Sequence, residues 1–71
     1  MKWYQIKDKK PEQGVDVLTC FDPSNELSCE VRCLEYDDFG RAYWWHLYYN
    51  TPMDDTDYWA YIEMPSYKQE D

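Results

Sequence analysis

The chain has 71 residues, room for one domain and no second, in the size range where a hydrophobic core only just offsets the entropy of ordering the backbone. Four Trp, eight Tyr and two Phe make up 20% of it; rings of this size bury roughly 150 to 250 Å² each, which argues against a disordered chain despite a formal charge of -8. Residues 12–63 hold twelve acids against Arg32 and Arg41 alone, a negative surface that disfavours direct contact with nucleic-acid phosphates or anionic membranes and favours basic protein surfaces.

Taken in chain order, β-favouring runs alternate with turn chemistry. Trp3 to Lys7 predicts a first strand, followed by a charged loop that ends in Pro11, Glu12, Gln13 and Gly14. Asp16 to Phe21 predicts a second strand, bounded by Asp22, Pro23, Ser24 and Asn25, where Pro fixes φ and the polar side chains bond back to the main chain. Leu27 to Leu34 reads two ways. Leu27, Cys29, Val31 and Cys33 alternate as in a strand, yet Leu27, Val31 and Leu34 also fit a short helix at residues 25–34 behind an N-cap at Ser24 or Asn25.

Asp37-Asp38-Phe39-Gly40-Arg41 predicts a hairpin turn with Gly40 at positive φ. Ala42 to Tyr49 is the clearest strand. Its alternation places Tyr43, Trp45, Leu47 and Tyr49 on one face and Trp44, His46 and Tyr48 on the other. A loop follows from Asn50 to Asp57, then a last strand from Tyr58 to Met64, stopped by Pro65. The expected fold is mainly β: a small antiparallel meander of four to five strands, curled into an open, barrel-like sheet.

Several of these residues, in order, resemble a family of small phage and prophage proteins known only as a domain of unknown function, number 551 in that series. Trp3, Ile6, Asp8, Pro11, Glu12, Gly14, Val17 and Leu18 match its opening strand, charged turn and second strand; Tyr36, Asp37, Asp38 and Gly40 match a middle hairpin; Tyr58, Trp59, Ile62 and Pro65 match its end. Tyr58 stands where the family usually has His, and Tyr61 and Glu63 stand in place of prolines, so no role of that His carries over. The resemblance implies a phage origin and a compact β-rich fold, and it implies no reaction.

Cys20, Cys29, Cys33 and His46 are zinc-type ligands, but positions four apart on a strand lie roughly 13 Å from each other, far beyond a shared ion at about 2.3 Å. Only the helical alternative would bring Cys29 and Cys33 together. Cys20 or Cys33 with His46 is the one pairing that could serve a thiol hydrolase, and it has no defined orienting acid. Asp54, Asp55 and Asp57 could meet a cation, but the loop lacks the Gly and downstream Glu of a calcium site. No phosphate loop or nucleophile elbow is present. The expectation is therefore no enzyme, no metal and no cofactor, with the cysteines as reduced thiols.

In a meander, the turns after the second and fourth strands share one end of the sheet, which would gather Asp22, Glu26, Asp54, Asp55 and Asp57 into one acidic edge. Trp44 and Tyr48 are the residues expected to add an aromatic contact patch. Without a membrane-length apolar run or the apolar region of a signal peptide, the expected location is the cytoplasm of a bacterial host. The leading expectation is a non-enzymatic, phage-encoded interaction protein that inhibits a host defence nuclease, in the manner of an anti-CRISPR, by binding its basic, nucleic-acid-handling surface. The alternatives are a structural or regulatory phage homodimer and a zinc-binding or thiol-dependent protein.

Overall fold

The computed structural model describes residues 2–63. Six strands, β1 (Tyr4–Gln5), β2 (Val17–Cys20), β3 (Cys29–Tyr36), β4 (Ala42–Trp45), β5 (Asn50–Pro52) and β6 (Tyr58–Tyr61), form one antiparallel sheet in the order β1-β6-β2-β3-β4-β5. The only helical element among the described residues is a 3-10 turn, Glu26–Ser28. Strands β2 to β5 run as a meander, but β6 inserts between β1 and β2 rather than following β5 at the edge. The mainly β, open-sheet expectation stands, with six strands instead of four or five.

The eight-residue β3 organises the sheet. Its first half, Cys29 to Arg32, pairs with β2, and its second half, Cys33 to Tyr36, pairs with β4. Directly paired residues share a face, so Val17, Arg32 and Tyr61 lie on the same side as Thr19, Glu30 and Trp59, and that side continues through Leu34 and Trp44. Ile6, Val17, Leu34, Trp44 and Trp59 form the buried core. In a flat sheet β1 and β4 would stand four strand spacings apart, about 19 Å. Ile6, just past β1, nevertheless shares a cluster with Trp44 of β4, so the sheet curls around this face.

The curl explains the departure from a pure meander. It brings the end of β5 near the start of β6, and the five residues 53–57 suffice to join them. Asp57 fastens the closure: its backbone oxygen accepts from the Ile6 N–H at 3.1 Å and its carboxylate accepts from the Trp44 indole at 2.9 Å. The second buried indole, Trp59, donates to the Lys9 carbonyl at 2.7 Å and stacks on Tyr4 with ring centroids 4.9 Å apart.

Local chemistry settles the strand-or-helix ambiguity. The Asn25 side chain accepts from the Leu27 N–H at 3.1 Å and its carbonyl accepts from the Ser28 N–H at 2.9 Å, which caps one 3-10 turn. From Cys29 onward the chain is strand. At the hairpin, Gly40 takes φ +78° as expected, and the Asp37 carboxylate accepts the N–H groups of Phe39 and Arg41, both at 2.9 Å. The expected loop from Asn50 onward contains β5, whose Pro52 closes a short edge strand where a missing donor costs little.

The long aromatic strand is shorter than its sequence suggests. It stops at Trp45, and the Tyr48 N–H turns back to donate to His46 Nδ1 at 3.2 Å. The expected faces are also corrected: Trp44 is 0% exposed, at the centre of the core, while Trp45 is exposed on the outer side. Both faces of the run are aromatic, so alternation alone does not say which one meets the interior. The last strand ends at Tyr61, and the Met64 and Pro65 parts of that expectation lie outside the described residues.

Replacing Trp44 with Phe removes the donor from a buried, charge-assisted hydrogen bond and leaves a void where the larger ring stood. Urea denaturation is expected to show a loss of about 2 to 3 kcal/mol. Trp45→Phe on the exposed side is expected to stay within about 0.5 kcal/mol.

Candidate interaction surface

Two acidic loops lie at the same end of adjacent strands. The register pairs Cys20 of β2 with Tyr58 of β6, so the turn that leaves β2, with Asp22, and the loop that enters β6, with Asp54 to Asp57, emerge side by side. The two loops use the same local device. Asp22 Oδ1 accepts from the Ser24 N–H at 3.0 Å and its hydroxyl at 2.6 Å. Asp54 Oδ1 accepts from the Thr56 N–H at 2.9 Å and its hydroxyl at 2.7 Å. An Asp followed two positions later by Ser or Thr folds the backbone into a tight turn and fixes the carboxylate.

Those bonds favour the charged form. Ser24, through its side chain first and its backbone second, holds the Asp22 carboxyl below its usual range; the Thr56 backbone first and its hydroxyl second do the same for Asp54. Among the described residues, the ion pairs are Arg32 with Glu30 and Arg41 with Asp37, so no lysine ammonium is ion-paired with either loop, although Lys7 adjoins one of them through its N–H, which donates to the Asp55 carbonyl at 3.0 Å. Lys9 instead lies over the Tyr4 and Tyr61 rings, at 4.8 and 5.5 Å from their centroids, and Lys2 over Tyr4 at 5.2 Å.

The structure sorts the expected contact residues. Asp22, Asp54 and Asp55 are exposed at this end. Glu26 opens the 3-10 turn within it, and its side chain lies outside those described. Asp57 is 7% exposed and engaged with Trp44 and the Asp54 N–H, so it holds the loop and is not offered to a partner. Trp44 is likewise unavailable. Tyr48, in contrast, is 83% exposed, because the turn at His46 lifts it off the sheet.

A polar network missed in the sequence tethers the Tyr48 segment near the acidic end. Glu30, two residues past the Asp22–Ser28 turn, accepts from the Tyr49 hydroxyl at 2.6 Å, from His46 Nε2 at 3.1 Å and from Arg32 Nη2 at 3.2 Å. His46 Nδ1 accepts from Tyr48, so Nε2 is the nitrogen that carries the hydrogen; the ring also stacks on Tyr49 at 4.4 Å. Arg32 is buried, with Nη1 donating to the Thr19 hydroxyl and its guanidinium 4.3 Å from the Phe21 ring centre. The visible signal was Glu30 and Arg32 two positions apart: if β3 is a strand, both charges share one face. Leu27, within the Asp22–Ser28 turn, and Leu47, next to Tyr48 in the chain, are 91% and 70% exposed.

His46 faces Glu30 and Tyr49 rather than a thiol, and among the described residues no three His, Cys, Asp or Glu side chains are grouped to hold a metal. A cleft of about 760 Å³ opens on the β4–β5 side, between Tyr36, Asp38, Arg41, Thr51 and Met53. Its charged rim is occupied by the Arg41–Asp37 pair at 3.2 Å. No family model, curated protein or solved structure matches the chain.

Glu30 supplies a pH test of the tether. Its carboxyl is held below its ordinary 4.5, chiefly by the Tyr49 hydroxyl and then by the charge of Arg32, against the opposing effect of burial. A depressed folded-state value contributes stability that is fully present above the unfolded value and lost as pH falls through the folded one. The Glu30 signal in an NMR titration is therefore expected to move below pH 4.5, and Tyr49→Phe to shift its midpoint upward. Glu30→Gln should flatten the acid limb of the stability curve.

Proposed function

We propose that this chain is a non-enzymatic interaction domain that docks a preorganised acidic end, flanked by exposed Leu27, Leu47 and Tyr48, onto a basic surface of another protein. The observation that supports it most is the pairing of Cys20 with Tyr58, which brings two hydrogen-bonded acidic loops, neither held in an ion pair, to the same end of adjacent strands. Fixed carboxylates steer the encounter, and apolar groups at the edge of the charge exclude water once contact is made. In the phage setting that the sequence resemblance implies, the partner is a host defence nuclease whose nucleic-acid-handling surface is basic, and the protein acts in the host cytoplasm as an anti-CRISPR-like inhibitor.

Tagged protein recovered from phage-infected or lysogenic cells should bring down a host protein with a basic surface. A self-dimer seen by light scattering, with no host protein recovered, would replace this reading. With the partner in hand, Asp22→Asn, Asp54→Asn and Asp55→Asn together should lower the association rate about tenfold at low salt, and the difference should shrink as salt screens it. Tyr48→Ala should act on dissociation instead, raising it by about tenfold. Equal association of the triple variant and the parent at low salt would defeat the acidic-end assignment.

A further inference from the structure

The same turn that carries Asp22 is closed by a pair of sulfurs. Cys20 is the last residue of β2 and Cys29 the first of β3, and the register pairs them directly across the two strands. Cα atoms of antiparallel partners stand roughly 4.5 to 5.5 Å apart, inside the span that a disulfide bridges. The two Sγ atoms are 2.6 Å apart. A bonded pair would sit at about 2.05 Å, so closure asks for a small side-chain adjustment and no movement of the strands.

The surroundings differ for the two thiols. Cys20 is buried, with the Asp22 carbonyl and the Ser28 hydroxyl each 3.3 Å from its sulfur, while Cys29 is partly accessible at the strand edge. Cys33 is four residues beyond Cys29 on the same strand, roughly 13 Å away, and too distant to cross-link with it. It donates instead toward Glu35 at 3.8 Å. Burial, and then the charges of Glu35 and Asp16, push its thiol up and make it the poorer nucleophile.

We propose that Cys20 and Cys29 form a reversible redox clamp across the β2–β3 turn, closed by a low-molecular-weight disulfide such as oxidised glutathione. The Cys29 thiolate attacks one sulfur of that reagent, forming a mixed disulfide and releasing one glutathione thiolate, which takes up the proton Cys29 lost. The Cys20 thiolate then attacks Cys29 Sγ, forms the protein disulfide and expels the second glutathione. The two protein thiols are oxidised by two electrons, the reagent is reduced by two, and both protons leave with the glutathione. The closed loop, from Cys20 to Cys29, contains the whole Asp22–Ser28 turn. The clamp does not depend on the docking reading.

The test treats the intact chain with oxidised glutathione, blocks remaining thiols with an alkylating reagent and maps peptides by mass spectrometry. The expected product has lost two hydrogens, about 2 Da, in a Cys20–Cys29 link, with Cys33 alkylated, and dithiothreitol restores the starting mass. Its melting temperature should rise by on the order of 10 °C over the reduced chain. Cys33→Ser should behave like the parent, whereas Cys20→Ser should stop at a stable glutathione adduct on Cys29. Three alkylated thiols after treatment, a link through Cys33 or a link between two chains would overturn the proposal; the parent chain alone decides this if a variant fails to fold.

Discussion

Burying an indole removes its N–H from water, and two of the four tryptophans are fully buried. Each must then find an acceptor inside the fold, because an unpaired buried donor costs roughly 1 to 3 kcal/mol. Trp44 finds the Asp57 carboxylate and Trp59 the Lys9 carbonyl. Both acceptors lie on irregular segments, so each indole fastens a connection as well as filling the core. Asp57 does more than accept. Its carboxylate also takes the Asp54 N–H, its own N–H reaches the Asp54 carbonyl, and its backbone oxygen holds the chain just past β1. One residue ties β1, β4 and the entry to β6 together.

That closure decides what is left outside. Once Trp44, Trp59, Leu34, Val17 and Ile6 fill the concave face, the loops at the Cys20 end of the sheet can only point to solvent, and their side chains bond within their own turns. The same constraint governs the His46–Tyr49 turn. With Trp44 facing in and Trp45 facing out, the chain leaves the sheet at once, and the Glu30 hub catches it through His46 and Tyr49. Tyr48, between the two tethered residues, is thereby held out in water. Its exposure follows from what its neighbours bind.

Much of the fold was legible because turn chemistry is local. Asp37 with Gly40, Asp22 with Ser24, and the alternation through Cys29, Val31 and Cys33 each needed only a few adjacent residues to read. Three features were not legible, each for a stated reason. Which face of Ala42 to Tyr49 turns inward is undetermined by a run aromatic on both sides. The insertion of β6 beside β2 depends on the curl at β3, a property of the whole sheet. Asp57 looked like its neighbours Asp54 and Asp55, since nothing in a string of acids says which one a distant indole selects. The Asp22 turn and the entry to β6 share one end of the sheet because β6 pairs antiparallel with β2, a pairing that the expected meander does not contain.

The distribution of cations gives the surface its character. Arg32 and Arg41 are each committed to one acid, on Glu30 and Asp37. Lys2 and Lys9, which could have crossed to the acidic loops, lie over the rings of Tyr4 and Tyr61, where the attraction comes from the ring quadrupole and leaves the carboxylates untouched. Like charges held close together on a small fold oppose its compact state. A chain selected for stability alone would gain by placing a lysine in either loop. Here each loop instead uses Ser24 or Thr56 to keep its carboxylate ionised and oriented, so the turn that shapes the backbone also fixes the charge at its surface.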